Sequence, residues 1–393
     1  MYRPGTAETW ASPWAMYADL RDHDPVHHVD QPDGRDYWVL SRHADVLAAA
    51  VDTSTYSSAQ GLTVEYDDLA TIGLADNRPL VMLDPPDHTA FRRLVARGFT
   101  PRQVATLEPV VRAFVVERIE RLRAEGGGDI VEALFKPLPS LVVAHYLGVP
   151  DDGRDRFDGW TDAIVSAGSA GAVTDAAAAL TEMTAYFAEL IDRRRTEPGD
   201  DTVSHLVAAG VGDDDAGLLS ILAYVFTVVT GGNDTTTGML GGSVQLLETD
   251  RDQRRLLLQD PALVPDAVEE LLRLTSPVQG LARTTTRDVV LHGRTVPAGR
   301  RVLLLYGAAN RDPRRYGPDA DELDVRRRPT QILTFSQGSH HCLGAAAARL
   351  QARVALEELL ARCPDFTVDL AGVRWAPGPY VRRPSTVPFR PAA

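Results

Sequence analysis

The sequence has little cysteine and no long apolar run. Only two cysteines, Cys342 and Cys363, occur in 393 residues, which excludes a disulfide framework and indicates a reducing compartment. The most apolar window, residues 221–229, is about half as long as the roughly 20 residues that a membrane span needs. The N-terminus has no basic stretch followed by an apolar one. We therefore expect a cytoplasmic protein without a membrane span.

The chain also lacks an excess of positive charge. It has 41 Lys and Arg residues against 54 Asp and Glu residues, a formal net charge of −13. Such a chain repels phosphate groups, so we expect neither nucleic acid nor an anionic membrane as its partner. A hydrophobic fraction of 44% and a charged fraction of 24% are ordinary for a folded chain and exclude the collagen-like and disordered classes.

Helical patterns dominate the chain after residue 88. The predicted helices cover residues 88–98, 101–125, 138–147, 176–195, 215–247, 265–274 and 344–362. Thr- and Val-rich segments with turn residues predict minor β portions near 37–65, 283–305 and 366–389. The stretch 60–86 has weak periodicity, and a loop of that length inside a domain is usually functional. The sequence predicts a mainly α protein with a small β subdomain, organised as one domain over residues 1–393.

Cys342 stands just before a strong helix-forming run. Unpaired N–H groups and the helix dipole favour a thiolate at such a position. A thiolate binds a soft metal or haem iron, and Gly338 and Gly344 permit the close approach of a flat cofactor. An inert cysteine, a Cys–His nucleophile and a zinc site with the two preceding histidines are the alternatives. Three consecutive ligands do not easily surround one tetrahedral ion.

The segment around Cys342 resembles the haem-ligand signature of the cytochrome P-450 superfamily. Five residues stand at the spacings of that signature: Phe335, Gly338, His340, Cys342 and Gly344. Ser336 departs from the pattern, because the superfamily commonly has glycine there. The resemblance implies that Cys342 is the axial ligand of a haem b iron and that Phe335 packs beside the iron–sulfur bond.

The middle of the predicted helix 215–247 reads TGGNDTTTG. Two glycines inside a helix cost roughly 0.5–1 kcal/mol each relative to alanine, and the following threonines are stiff. Either later glycines such as Gly238 serve close helix packing, or the helix has a local bulge that opens backbone hydrogen bonds beside a reaction site.

The same run resembles the oxygen-activation motif of the superfamily. Gly231, Gly232, Asp234 and Thr235 match the motif's small residues, acid and alcohol. The resemblance implies that Asp234 and Thr235 form a short proton-delivery chain and that haem lies between this interrupted helix and the final long helix.

Two further charged pairs lie at helical spacing. Glu270 and Arg273 share a helix face, and the resemblance implies a buried structural pair joined by Arg326. His88 and Arg92 could form a polar face. In the resembled superfamily such a pair binds the haem propionates, together here with Arg283 and His340. Paired cations are what two partly buried carboxylates need.

Several arginines would lie on the cysteine side of the haem. They are Arg93, Arg97, Arg349 and Arg353. Scattered arginines are usually explained by solvation. The alternative is a basic surface for an acidic electron donor, whose approach would be steered by charge.

The resemblance extends over residues 13–389 and is strongest to one soluble actinobacterial family, numbered one hundred and thirty. It implies a haem-thiolate monooxygenase that uses O2, with electrons passing from NAD(P)H through a separate ferredoxin and ferredoxin reductase. It also implies a hydrophobic organic substrate and inhibition by azole compounds. A haem-thiolate peroxygenase and a non-catalytic haem sensor or binding protein are the alternative functions. The expected pocket wall consists of Thr63, Val64, Leu74, Val229, Val278, Leu281, Tyr380 and Val381.

Overall fold

The computed structural model describes residues 5–31, 34–66, 78–154, 156–160, 163 and 173–391. Helices account for most of these residues, which confirms the predicted mainly α class. Their bounds are Ala7–Ala11, Trp14–His23, His43–Val51, Asp87–Val95, Pro101–Thr106, Glu108–Ala124, Pro137–Leu147, Val173–Thr196, Thr202–Ala208, Asp215–Thr249, Arg251–Gln259, Val264–Thr275, Tyr306–Ala309, Pro313–Tyr316 and Ala345–Arg362. No helix in the described ranges has the length and apolarity that crossing a membrane requires.

Short strands form the β portion. They are β1 (Val26–Val29), β2 (Tyr37–Leu40), β3 (Tyr56–Ser57), β4 (Gly128–Asp129), β5 (Leu281–Thr285), β6 (Val289–Leu291), β7 (Arg294–Val296), β8 (Arg301–Leu304), β9 (Thr367–Val368), β10 (Arg374–Trp375), β11 (Pro384–Thr386) and β12 (Pro388–Arg390). The main sheet has the order β1-β2-β8-β5-β3. Within it β2 and β8 are parallel and the other pairs are antiparallel.

The helix Asp215–Thr249, called the central helix, organises the main core. It packs against the helix Pro137–Leu147, the helix Val264–Thr275 and the helix Ala345–Arg362, called the C-terminal helix. Asp214 begins the central helix by accepting a hydrogen bond from the Gly217 N–H at 2.8 Å, as an N-cap residue does.

Of the two interpretations of the glycine–threonine run, the structure does not support the local bulge, because the central helix is continuous through residues 230–238. Thr230 Oγ1 donates to the Phe226 carbonyl at 2.9 Å, and Thr235 Oγ1 donates to the Gly231 carbonyl at 2.8 Å. These threonine hydroxyls bond to carbonyls one turn earlier, an arrangement that occurs within continuous helices.

Close packing explains several of the glycines in this helix. A Cβ at Gly232 would lie 2.7 Å from Val143 Cγ2, and one at Gly242 would lie 2.7 Å from Thr275 Cγ2. Real Cβ atoms do not approach that closely, so a side chain at either position would force the neighbouring side chain to shift. The packing interpretation therefore applies to both, and a side chain at Gly232 would point to the helix Pro137–Leu147.

Candidate functional site

The loop before the C-terminal helix is held in a tight conformation. A 3-10 turn covers Gly338–His340, and the Cys342 N–H donates to the Phe335 carbonyl at 2.8 Å. Gly338 has φ +72°, and a Cβ there would lie 3.0 Å from Val51 Cα. Glycine is thus required both for the left-handed backbone and for the approach of the helix His43–Val51.

Ser336 adopts the left-handed conformation for which the resembled signature has glycine. Its φ is +55°, which costs a non-glycine residue roughly 1–2 kcal/mol. Tyr306 lies beside it with its hydroxyl 3.3 Å from Ser336 Oγ, and this contact offsets part of the cost. Ser336 thus adopts the left-handed conformation that a glycine would adopt at lower cost.

The Cys342 side chain reaches solvent although protein atoms surround it closely. Its side chain is exposed, yet so many protein atoms surround it that burial raises its pKa. A Gly344 backbone hydrogen bond and the cations of Arg92 and Arg349 act in the opposite direction and lower the pKa. Cys363, in contrast, is fully buried, and burial raises its pKa to about 11. Cys342 is therefore the cysteine that can reach a ligand.

The structure brings together the four basic residues predicted to bind haem carboxylates. The His88 and His340 ring centroids are 4.3 Å apart, and Arg92 Nη2 donates to the His341 carbonyl at 2.5 Å. Burial lowers the pKa of His340 to about 3, and the charges of Arg283, His88 and Arg92 add to this effect. The cluster is thus an environment that opposes further positive charge and suits anionic groups.

These residues fit a haem group. The buried Nδ1 atom of His88 has no hydrogen-bond partner, and Arg283 is only 2% exposed. A flat cofactor with two carboxylates would supply the partners that buried polar groups require. A Cβ placed at Gly231 or at Gly344 would meet no atom within 4 Å, so open space adjoins both the central helix and the cysteine loop.

One neighbour of this cluster was missed from the sequence. Ser58 Oγ lies 3.2 Å from His340 Nε2, and the Ser58 N–H donates to Asp84 Oδ1 at 2.9 Å. Serine is common in loops, so the sequence does not indicate that Ser58 contacts His340. Only the tertiary structure shows this contact.

Asp234 has an ion-pair partner that the sequence did not indicate. Asp234 Oδ2 lies 2.9 Å from Arg383 Nε, and the two side chains are 22% and 15% exposed. Thr235 follows Asp234 on the same helix and is half-buried. The structure thus makes the predicted acid and alcohol adjacent, and it fixes the acid with a cation from the C-terminal part of the chain.

Glu270 and Arg273 form the predicted buried pair. Glu270 Oε2 accepts from Arg273 Nε at 2.7 Å, Glu270 Oε1 accepts from Arg273 Nη2 at 2.7 Å, and neither side chain is exposed. Arg273 Nη1 also donates to the Asn310 carbonyl at 2.7 Å and to the Ala320 carbonyl at 2.6 Å. The pair therefore holds the irregular segment that precedes the cysteine loop.

The prediction that Arg326 joins this pair is wrong. Arg327 Nε donates to Glu270 Oε1 at 3.0 Å, whereas Arg326 is exposed. The Arg327 N–H donates to the Asp324 carbonyl at 2.9 Å, which closes a turn over residues 324–327. Within this turn Val325 is fully buried, and the side chain of Arg327, not that of Arg326, reaches Glu270.

The arginines proposed as a basic docking surface are largely neutralised. Arg349 Nε lies 2.5 Å from Glu269 Oε1, and Arg353 Nη2 lies 2.5 Å from Glu108 Oε2. Arg93 is exposed, and the side chain of Arg97 lies outside the described residues. Because two of these arginines are paired with glutamates, this face does not carry a simple excess of positive charge.

The expected pocket segments meet through backbone hydrogen bonds. The Ala282 N–H donates to the Leu62 carbonyl at 2.7 Å, and the Gln279 N–H donates to the Tyr380 carbonyl at 2.7 Å. An isolated β-bridge joins Val278 and Val381. The segment 277–282 thus links the loop after residue 60 to the C-terminal part of the chain.

Most of the predicted wall residues are accessible within this arrangement. Six are half-buried: Thr63, Val64, Val278, Leu281, Tyr380 and Val381. Val229 is a wrong prediction, because it is fully buried in a core cluster with Val143 and Val225. The half-exposed face of the central helix carries Phe226 and Thr230 instead. Leu74 lies outside the described residues.

Among the described residues, no group of three or more His, Cys, Asp or Glu side chains has the arrangement of a metal-ion site. The zinc interpretation of the cysteine loop therefore has no ligand set in that part of the chain.

Comparisons with known proteins show which proteins the chain resembles. Residues 245–370 match the family model described as cytochrome P450. Cytochrome P450 130 of Mycobacterium tuberculosis is 69% identical over 394 residues, covering 99% of this chain and 97% of that protein. Vitamin D(3) 25-hydroxylase of Pseudonocardia autotrophica is 38% identical over 363 residues, covering 91% and 88%. The solved structure of the bacillaene polyketide synthase cytochrome P450 PksS of Bacillus subtilis 168 superposes with a TM-score of 0.89 at 29% identity, covering 100% of both chains.

Proposed function

Because this chain belongs to the cytochrome P450 family, whose members are monooxygenases, we propose that it inserts one oxygen atom of O2 into a hydrophobic organic substrate. The observation that carries the proposal is Cys342 at the start of the C-terminal helix beside the cluster of His88, Arg92, Arg283 and His340. A thiolate and a set of carboxylate-binding residues are what haem b requires from a protein.

The residues have separate roles in holding the cofactor. Cys342 would supply the thiolate ligand of the iron, and the four basic residues would bind the two carboxylates. Bound haem would supply the iron at which O2 is reduced. Phe335, only 8% exposed and stacked under the Arg349 guanidinium at 4.6 Å from the ring centroid, would keep water from the sulfur.

Asp234 and Thr235 would move the protons that O2 reduction consumes. Thr235 Oγ1 donates its own proton to the Gly231 carbonyl, so its oxygen lone pairs are left to accept a hydrogen bond from water. Asp234 is half-buried beside it and would exchange protons with solvent. A peroxygenase receives its protons with the peroxide and would not need this pair.

A hydrophobic substrate suits the wall that the central helix presents. Thr227 Oγ1 donates to the Ala223 carbonyl at 2.8 Å, and Thr230 Oγ1 donates to the Phe226 carbonyl at 2.9 Å. Hydroxyls that are satisfied inside the helix leave methyl groups for a ligand to contact. The 38% identical relative is named for vitamin D3, and the same class of apolar substrate is proposed here. Azole compounds, which combine an apolar body with an imidazole-type nitrogen, would bind the same pocket.

Electrons would come from NAD(P)H through a ferredoxin and a ferredoxin reductase in the cytoplasm. The donor would dock on the face of the C-terminal helix that carries Arg349 and Arg353, because this face adjoins the cysteine loop. Both arginines are ion-paired, so long-range steering would be modest and contact geometry more important.

The visible spectrum of the reduced, carbon monoxide-bound protein tests the proposal. Wild-type protein should give the thiolate-type Soret band, and Cys342→Ala should lose it. A protein that remains colourless after haem supplementation, or a Cys342→Ala variant with an unchanged spectrum, would contradict the proposal.

Turnover separates the three functions. With ferredoxin, reductase and NAD(P)H, Thr235→Ala should reduce O2 to hydrogen peroxide and water in place of forming oxygenated product. Thr235→Ser should form close to the wild-type amount of product. Product formation from hydrogen peroxide that is equal in wild type and Thr235→Ala would indicate a peroxygenase. Haem binding without any turnover would indicate a sensor.

A further inference from the structure

Arg383 contacts the acid of the proposed proton path from a different part of the fold. It precedes β11 in the C-terminal hairpin, which we define as residues 374–386 with strands β10 and β11. The Arg383–Asp234 contact is 2.9 Å long, and neither side chain is more than 22% exposed. Such a partly buried pair is screened less by solvent and salt than a pair on the open surface.

Glycines let this hairpin approach the central helix. Gly238 lies four residues after Asp234 and therefore on the same helix face. A Cβ at Gly238 would lie 2.7 Å from the Arg382 carbonyl oxygen and 3.4 Å from Arg383 Cβ, and one at Gly241 would overlap Pro384. The hairpin is thus already in contact with the helix, so any displacement must move it away.

The same hairpin forms one side of the proposed pocket. Tyr380 and Val381 are half-buried, and backbone bonds connect their segment to its surroundings. The Arg382 N–H donates to the Pro277 carbonyl at 2.7 Å, and the Ala376 N–H donates to the Arg383 carbonyl at 3.1 Å. Residues 380–383 are therefore a short, tied segment in which movement at Val381 is transmitted to Arg383.

We propose that Arg383 is a positioning residue that couples occupancy of the pocket to the availability of Asp234. With the pocket empty, Arg383 holds the Asp234 carboxylate toward the hairpin. A ligand large enough to press on Tyr380 and Val381 moves the segment outward, and a displacement of about 1 Å is enough to break a hydrogen bond of 2.9 Å. The Asp234 carboxylate, released from Arg383, then serves Thr235 only when substrate is in place. This inference rests on the proposed monooxygenase function.

Thermodynamic reciprocity provides a test that needs no turnover. If a ligand must loosen the Arg383–Asp234 pair, the pair weakens binding of that ligand, and its removal strengthens binding by the same factor. For a partly buried pair we expect about threefold to fivefold. The haem-bound protein would be titrated with 1-dodecylimidazole, whose chain is long enough to reach the hairpin, and with imidazole, which is too small to do so.

Arg383→Gln and Asp234→Asn should each bind 1-dodecylimidazole about threefold to fivefold more tightly than wild type. The double variant should bind it no more tightly than either single variant, because all three lack the same contact. Arg383→Lys keeps the charge and should restore near wild-type affinity. Imidazole should bind all of these proteins equally.

Unchanged affinity for 1-dodecylimidazole in the single variants would overturn the inference, as would additive effects in the double variant or an equal change for imidazole. These results can be told apart from a failure of the proposed monooxygenase function. A protein that oxygenates its substrate but shows no linkage contradicts the coupling alone. A protein that shows the linkage but forms no product contradicts the monooxygenase function alone.

Discussion

The neighbours Arg326 and Arg327 allow a direct test of how the segment before the cysteine loop is fixed. Arg327 Nε donates to the fully buried Glu270, and Arg327 Nη2 lies 2.8 Å from Asp319 Oδ2. The Arg326 side chain is exposed. We predict that Arg327→Gln destabilises the protein and that Arg326→Gln, a chemically identical change one residue away, does not.

The expected size follows from the burial of Glu270. Removing one partner of a fully buried pair costs about 3–5 kcal/mol, because a charge remains without compensation. That range applies to Glu270→Gln, which leaves Arg273 and Arg327 without their carboxylate. Arg327→Gln leaves Glu270 with both bonds from Arg273, so the loss should be about 2 kcal/mol. Arg326→Gln should stay within about 0.5 kcal/mol of wild type.

Thermal unfolding of the haem-bound proteins, measured in parallel, would check this order. For a chain of this length about 2 kcal/mol corresponds to a midpoint shift of about 2–4 °C. The Soret absorbance, followed in the same samples, reports whether the cysteine loop is disturbed. Equal midpoints for Arg326→Gln and Arg327→Gln would refute the assignment of Arg327 as the third member of the network.

Three further outcomes are expected. Arg283→Met should lose haem to an acceptor protein about tenfold faster than wild type, because charge-assisted hydrogen bonds to a carboxylate are removed, whereas the exposed Arg287→Met should match wild type. Ser336→Gly should be more stable to urea than Ser336→Ala by about 1 kcal/mol, because a φ near +55° is strained for alanine and not for glycine. Gly241→Ala should lower the thermal midpoint, because its Cβ overlaps the hairpin proline, while Gly231→Ala, whose Cβ meets no protein atom within 4 Å, should gain about 0.5–1 kcal/mol of helix stability in the haem-free protein. An equal response from the two members of any of these pairs would contradict the corresponding assignment.

Features set by local sequence were predictable. The apolar and helix-forming run after Cys342 predicts a helix over 344–362, and the structure has Ala345–Arg362. The Thr- and Val-rich segment 283–305 predicts strands, and four lie over Leu281–Leu304. In both cases neighbouring residues determine the outcome, through helix propensity or through alternation and turn residues.

The predicted helix over 101–125 shows where local reasoning stops. The structure divides it into Pro101–Thr106 and Glu108–Ala124. Pro109 lacks an N–H and sits in the first turn of the second helix, the position that a proline favours. The proline was visible in the sequence, and its position allows the chain to turn at Leu107, which packs in the core.

Ion pairs between distant segments were the part that the sequence could not supply. Arg327 and Arg326 are adjacent and chemically identical, and the turn over residues 324–327 decides which of them reaches Glu270. The pairing of Arg383 with Asp234 depends on two glycines in the central helix that permit the hairpin to approach. The motif that suggests an acid and an alcohol side by side is local, whereas the cation that holds the acid is brought by tertiary packing. Short motifs therefore predict which side chains the site contains. The ion pairs that position those side chains form only in the folded chain and could not be predicted from the motifs.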